Sequence, residues 1–353
     1  MIQKKGLVAR NQKGWNNLAS HIEEKKYSKV FLFVDEITKT LCLPVFYHKI
    51  DLKKDWEIIE IPSGEDHKNI SSCILAWEQL SIKGADRNSL IINVGGGMIT
   101  DLGGFVASTY KRGIDFVNIP TTLLAMVDAS IGGKNGIDFG NIKNQIGTIV
   151  LAELVVVETI FLETLPHRQL MSGMAEMLKH GLIYSEKSWE KIRALNILNK
   201  IEIEELIFES IEIKEEIVSK DPLEINLRKT LNFGHTLGHA IESYCLTTSS
   251  RPTLLHGEAI VIGIILATYI SSELLGFPKD TLQQVSNKVL SIFPKENFST
   301  TDIEKIIELL IFDKKNRNGQ VLFVLLRDIG HPETDCIVPN DLIFRSFDYY
   351  KKL

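Results

Sequence analysis

The chain has 353 residues, enough for two domains that each bury their own core. Its composition, 44% hydrophobic and 24% charged, is that of an ordinary globular protein. With 40 basic against 45 acidic side chains the net charge is −5, so nothing attracts nucleic acid or anionic lipid in bulk, and neither is expected as a partner.

Lys29–Val34 reads as a buried strand ending at Asp35, and Glu57–Ile61 as a second, stopped by Pro62-Ser63-Gly64. Ser71–Lys83 has helical periodicity through Ile74, Trp77 and Leu80. Leu90–Val94 is a third strand, followed at once by Gly95-Gly96-Gly97; Phe116–Ile119 is a fourth and Leu154–Val157 a fifth. Strands alternating with helices imply β-α-β units, a mostly parallel, Rossmann-like open sheet. From Leu165-Pro166 onward the texture turns helical. Helices are expected over Gln169–Leu182, Trp189–Leu195, Ile203–Ser219, Leu227–Tyr244, His256–Leu275, Lys279–Ile292 and Thr301–Phe312, with one late strand, Gln320–Leu326, in a hairpin or edge position. The expected domains are residues 1–160, α/β, and 161–353, mainly α-helical.

Cys42, Cys73, Cys245 and Cys336 are widely spaced with no C-x-x-C pair, which suits reduced thiols in a cytoplasmic enzyme. No apolar run of signal-peptide length follows the N-terminal charges. The most apolar stretch, Ala259–Ile270, is about half a membrane span, so no membrane partner is expected.

Glycines after a strand let backbone N–H groups approach a pyrophosphate at a helix N-terminus. The run from Val94 to Asp101 is not G-x-G-x-x-G, and alone it would equally be a tight strand-to-helix turn. However, Asp35 and the segment Ser63-Gly64-Glu65-Asp66-His67-Lys68 also follow strands, at the edge where open α/β sheets bind ligands. Lys134, Lys143 and Asn144 sit among glycines in a polar loop with little room for a core role, suited to gripping phosphate or sugar hydroxyls.

Three of the nine histidines lie between positions 235 and 256. His235 and His239 are one helical turn apart, candidates for one ion with His256 third. Glu176, on a small-residue helix, is a further candidate ligand; a Glu/His/His set with an open position would suit a catalytic zinc.

The runs I-P-S-G-E-x-x-K, G-G-G-x-x-x-D-L-x-G-F, Y-K-R-G, P-T-T-L-L-A-x-V-D, G-G-K, K-N-Q-I-G, F-L-E-T-L-P, S-G-M-A-E-M-L-K, L-N-F-G-H-T-L-G-H-A-I-E, L-H-G-E-A and D-K-K stand in this order along the chain. In them the chain resembles the 3-dehydroquinate synthases of the sugar phosphate cyclase group. The resemblance implies NAD⁺, one zinc (cobalt can substitute), and conversion of 3-deoxy-D-arabino-heptulosonate 7-phosphate to 3-dehydroquinate and phosphate, in the shikimate route to aromatic amino acids. The implied steps are transient oxidation, phosphate elimination, reduction, ring opening and aldol closure. The implied zinc ligands are Glu176, His235 and His256, leaving His239 to touch substrate and move protons. NAD⁺ would be contacted by Asp35, Glu65, Lys68, Gly97, Asp101, Thr121, Thr122, Lys143, Phe161 and Thr164, beside Ser63, Gly64, Gly95, Gly96, Lys134 and Leu162. Substrate would fall to Arg112, Asp128, Lys134, Asn144, Lys179, Lys214, Arg228, Asn232 and Lys314, with Lys315 competing for the last place. Arg112 would reach the neighbouring subunit's site, implying a homodimer.

Two departures lie near the substrate. Asn135 and the stretch Gly136–Gly140 stand where many members read Thr-Gly/Ala-Val-Asn, and the Cys245–Leu254 loop is longer than in some. A related cyclase acting on another sugar phosphate, a zinc polyol dehydrogenase and a nucleotide-binding regulator are the rival readings. The intact G-G-K loop and histidine helix speak against the first, the lysine-rich grip against the second, and the full set of metal and proton-transfer candidates against the third.

Overall fold

The computed structural model describes residues 6–52, 54–140, 142–195, 200–248, 251–310 and 320–353. Lys314 and Lys315, and the expected helix beyond residue 310, lie outside them. The chain divides into two compact units, Met1–Leu170 and Met171–Leu353.

The first unit is built on six parallel strands, β1 (Leu7–Arg10), β2 (Val30–Asp35), β3 (Glu57–Ile61), β4 (Leu90–Gly95), β5 (Asp115–Pro120) and β8 (Leu154–Val157), in the order β1-β8-β5-β4-β2-β3. All six residues of β2 and of β4 are buried, as central parallel strands covered on both faces must be; this is why they read as mainly apolar runs, broken in β4 only by Asn93, whose amide donates to Asn118 Oδ1 at 2.8 Å. Helices α1 (Asn11–Lys25), α2 (Glu36–Leu41), α3 (Leu43–Lys49), α4 (Ile70–Ile82) and α5 (Gly97–Thr109) connect them. The edge strand β1 and helices α1 to α3 have no counterpart in the elements expected from sequence.

Chain order places β3 on one side of β2 and β4 on the other. The crevice beyond the ends of β2 and β4 is therefore the topological switch point, where open α/β sheets take their ligands.

The polar loop expected around Lys134–Gly147 is instead an antiparallel hairpin, β6 (Lys134–Phe139) with β7 (Ile142–Ile149). Gly136 and Gly147 face each other across it, and a Cβ on either would stand 2.8 Å from the Ile146 carbonyl oxygen or 2.4 Å from that of Asn135. Asn135 and Ile137 are buried, so part of this segment does take a core role.

The second unit is mainly helical: α6 (His167–Tyr184, entering from the first unit), α7 (Glu186–Ala194), α8 (Lys200–Lys220), α9 (His235–Thr247), α10 (His256–Leu275), α11 (Lys279–Ile292), α12 (Thr300–Leu309) and α13 (Asn340–Lys352). The late strand is present as β9 (Leu322–Asp328), in an antiparallel hairpin with β10 (His331–Ile337). Two expectations change here. Leu227–Tyr244 is not one helix: a 3-10 segment, Leu227–Asn232, ends before Gly234, whose φ of 77° breaks the helix so that α9 starts at His235. The apolar stretch is also longer than expected: α10 has 20 residues, enough by length and composition to cross a membrane, yet 67% of that window is buried in the protein, the pattern of a core helix.

Candidate active site

In the first unit, strand register brings the nucleotide candidates to one edge. Asp35 pairs with Ile61, so Ser63 and Gly64 follow beside it; Gly95 pairs with Pro120, so Thr121 and Thr122 follow there. Thr121 N donates to Gly95 O at 2.9 Å. Asp35 caps α2, accepting from Thr38 N at 2.7 Å through Oδ1. The glycine run turns without unusual torsions, Gly96 having φ −73° and ψ −170°. Its first two glycines answer to packing: a Cβ on Gly95 would stand 2.5 Å from Ile99, and one on Gly96 2.9 Å from Thr122. Gly97, at the start of α5, differs: a Cβ there would meet only Ala129, at 3.4 Å, so packing alone does not demand a glycine at this helix N-terminus.

Lys68 is 3% exposed and gives its ammonium to Asp101 Oδ2 and to Asn144 Oδ1, each at 2.6 Å. Burial alone lowers its pKa, but Asp101, Glu65 and Asp138 outweigh that and raise it, so the ammonium stays charged. Asn144 holds a left-handed φ of 51°, with its backbone N donating to Asp138 Oδ1 at 2.7 Å. Lys143 pairs with Glu65 at 3.2 Å. Lys68, Asp101, Asn144, Lys143 and Glu65 thus form one network tying the β6–β7 hairpin to α5, and Asp138, unassigned from sequence, belongs to it. Arg112 is exposed, in a turn where Lys111, Arg112 and Gly113 all have positive φ. Asp128 and Lys134 are half-buried, at the end of a π-helical turn (Ala125–Ala129) and the start of β6. Phe161, Leu162 and Thr164 lie in and just after the 3-10 segment Thr159–Glu163, with Phe161 buried.

In the second unit, α6, α9 and α10 converge on Glu176. Its side chain is fully buried; Oε2 takes the ammonium of Lys179, itself 1% exposed. Oε1 lies 3.4 Å from His235 Nε2 and 3.6 Å from His256 Nε2, yet makes no hydrogen bond. Both rings are held from behind: His235 Nδ1 is 3.1 Å from Phe233 O, and His256 Nδ1 is 3.1 Å from Glu242 Oε2. These acceptors hold a proton on Nδ1, so Nε2 is the nitrogen each ring turns towards Glu176. His239 stands beside them, its ring centroid 5.1 Å from that of His235, and all three histidines offer a nitrogen within 4.8 Å of the others.

The electrostatics favour a cation. Burial raises the Glu176 carboxyl, but Lys179, His235 and His256 outweigh it and hold the group well below its usual range. Burial lowers His256, but Glu242 and Glu176 outweigh it and push the imidazole up to about 10. A buried carboxylate oxygen without a hydrogen bond, faced by two Nε2 atoms, is the donor set a tetrahedral divalent metal takes, with room for a further ligand; the proton that the raised pKa leaves on His256 Nε2 is the one such an ion would displace. The residues fit zinc or cobalt.

Two further basic candidates of this unit, among the described residues, are also buried: Lys214 is 5% and Arg228 2% exposed. Asp221 accepts from the backbone N–H groups of Ile225, Asn226 and Arg228, fixing the turn that carries Arg228 and Asn232. Arg228 donates to Pro222 O at 2.7 Å and Asn232 to Glu224 Oε1 at 2.6 Å. Glu242 was not singled out from sequence, although it lies two helical turns after His235 on the same face of α9, and that spacing was the signal available.

Known proteins share this architecture. The family models for the N-terminal and C-terminal parts of 3-dehydroquinate synthase match residues 58–172 and 173–316. A 3-dehydroquinate synthase of Parabacteroides distasonis is 39% identical over 354 residues, covering 100% of this chain and 99% of that protein. Among solved structures, 2-epi-5-epi-valiolone synthase from Streptomyces hygroscopicus, with NAD⁺ and Zn²⁺ bound, superposes with TM-score 0.87 at 23% identity, covering 100% of this chain and 98% of that one. A 2-deoxy-scyllo-inosose synthase complexed with carbaglucose-6-phosphate, NAD⁺ and Co²⁺ gives TM-score 0.83 at 25% identity, covering 97% and 96%. With both halves matched and a relative this similar over its whole length, the chain belongs to the 3-dehydroquinate synthase family.

Proposed function

We propose that the protein converts 3-deoxy-D-arabino-heptulosonate 7-phosphate into 3-dehydroquinate and phosphate, using NAD⁺ and one divalent metal, zinc or cobalt. The observation that carries the reading is the buried Glu176 Oε1, facing the Nε2 atoms of His235 and His256. Membership of the synthase family supports the choice of substrate. When bound, NAD⁺ supplies a hydride acceptor and the metal a Lewis acid that acidifies a substrate hydroxyl.

The chain's own residues then bind, orient and move protons. Glu176, His235 and His256 hold the metal. His239, half-exposed beside them, remains to hydrogen-bond substrate and exchange protons with it near neutral pH. Lys179, Lys214 and Arg228, with Lys134 and Lys314, grip the substrate's phosphate and carboxylate, and Asp128, Asn144 and Asn232 take its hydroxyls. Asp35, Gly97 and Thr121 at the switch point line the NAD⁺ crevice, with Ser63, Gly64, Thr122, Phe161, Leu162 and Thr164 near it. Lys68 and Asp101 shape that crevice through the ion pair they share. The exposed Arg112 serves a neighbouring subunit in a homodimer, and the enzyme works in the cytoplasm.

Incubating the pure protein with the heptulosonate phosphate and NAD⁺, with and without chelator, tests this. Chelator-sensitive phosphate release without net NADH is expected. No release from metal-replete protein refutes the reading, and NADH accumulating with a simple polyol favours a dehydrogenase.

A further inference from the structure

We propose that Glu242 is a positioning residue that fixes the orientation of His256 and thereby sets the protein's affinity for its divalent metal. This rests on the reading that Glu176, His235 and His256 hold that metal.

The two imidazoles are not held alike. Behind His235 stands a neutral acceptor, Phe233 O, on the residue two before it in the same chain turn. Behind His256 stands a carboxylate from another helix, Glu242 Oε2, at the same 3.1 Å. Glu242 is only 4% exposed, so its charge is little screened. A carboxylate accepting from Nδ1–H stops the ring turning about its Cβ–Cγ bond and makes Nε2 a stronger donor. His256 needs such a hold. Both histidines open their helices, but His235 is tied to the chain immediately before it, whereas the acceptor behind His256 comes from another helix.

Backbone packing, not Glu242, sets the spacing of α9 and α10. A Cβ on Gly263 would stand 2.0 Å from Gly234 O and 2.8 Å from Gly238 N, and one on Gly238 2.7 Å from Ile260. Three glycines therefore bring the helices together, and the carboxylate acts within a frame that exists without it.

The test uses the full chain, stripped of metal and titrated with Zn²⁺ against a chromophoric chelator, and separately the absorption spectrum of the Co²⁺-loaded form. Glu242→Gln, which keeps the shape and loses the charge, is expected to weaken zinc binding about 10- to 100-fold, with Glu242→Ala weaker still. The cobalt bands should change in position or intensity, because the donor strength and orientation of His256 change. Glu242→Asp, which keeps the charge but withdraws it, should also bind more weakly than the unaltered protein, and it serves if the alanine variant fails to fold. A purely structural carboxylate would lower the unfolding temperature of the metal-free protein and leave affinity and spectrum alone. A folded Glu242→Gln protein with unaltered affinity and spectrum overturns the inference while the metal site stands. If the unaltered protein binds no zinc, or Glu176→Gln binds it equally well, the metal site itself falls and the inference with it.

Discussion

The metal site depends on how closely α10 approaches α6, and a single hydrogen atom sets that approach. Gly257 follows His256; its N donates to Ser172 Oγ at 2.9 Å, and Ser172 lies one turn before Glu176. A Cβ at Gly257 would stand 2.0 Å from Ser172 O and 2.6 Å from its carbonyl carbon. Reaching ordinary contact requires the helices to part by about 1.4 Å, against a Glu176 to His256 separation of only 3.6 Å. Disturbing what orients a metal ligand costs on the order of 10- to 100-fold in affinity. Gly257→Ala is therefore expected to weaken zinc binding by about that factor and to destabilise the fold by roughly 1–3 kcal/mol through overpacking. Chelator competition measures the first and urea unfolding of the metal-free protein the second. Gly276→Ala is the control: φ is 77° with nothing within 4 Å, so it should cost about 1 kcal/mol of stability and leave zinc affinity unchanged. A folded Gly257→Ala protein binding zinc as tightly as the unaltered one would refute the argument.

Other outcomes follow from the same geometry. Glu176→Gln leaves the Lys179 ammonium buried without its carboxylate, so the metal-free protein should lose roughly 3–5 kcal/mol in denaturant unfolding; a loss under 1 kcal/mol would contradict the pairing. His235→Asn should strip bound zinc on gel filtration whereas His239→Asn retains it, both variants losing phosphate release; the reverse metal contents, by elemental analysis, would make His239 the ligand. Burial raises the Asp302 carboxyl, but the Tyr244 hydroxyl, the Ser299 backbone and the Arg251 guanidinium outweigh it and hold the pKa below its usual range. A depressed carboxyl stabilises above its unfolded value of about 3.9 and loses that contribution as pH falls below it. The stability gap between the unaltered protein and Asp302→Asn should therefore be full at pH 6 and shrink towards pH 3; a gap that grows on acidification would contradict the sign.

The parallel sheet was legible because β2 and β4 are buried on every residue, so that each reads as a mainly apolar stretch, with Asn93 alone interrupting β4 before its final glycine. The β6–β7 hairpin was not, for the opposite reason. Its buried Asn135 is polar because its amide donates to Gly133 O and Val150 O, each at 2.9 Å, and its glycines serve the strand crossing, so neither alternation nor β-propensity marks it. The break at Gly234 was hidden likewise: a glycine inside a helical pattern reads as a mild cost until its φ of 77° and its approach to Ile264, 2.7 Å from a Cβ, are known.

For the site, residue type and spacing pointed to Glu176, His235, His239 and His256 but carried no information on which nitrogen of each histidine faces inward. That is decided behind the rings, by the Phe233 carbonyl and the Glu242 carboxylate. One is a backbone atom with no sequence signature; the other is a glutamate whose partner lies fourteen residues on, across a loop. Helical periodicity places Glu242 under His235, yet its hydrogen bond is to His256, so spacing along α9 would have found the residue and named the wrong partner. Because Nδ1 is occupied on both rings, Nε2 is the atom each presents to Glu176. A site read as three histidines on a line of sequence is thus, chemically, two imidazoles, each held at Nδ1 and turning Nε2 to one carboxylate, with the third ring beside them.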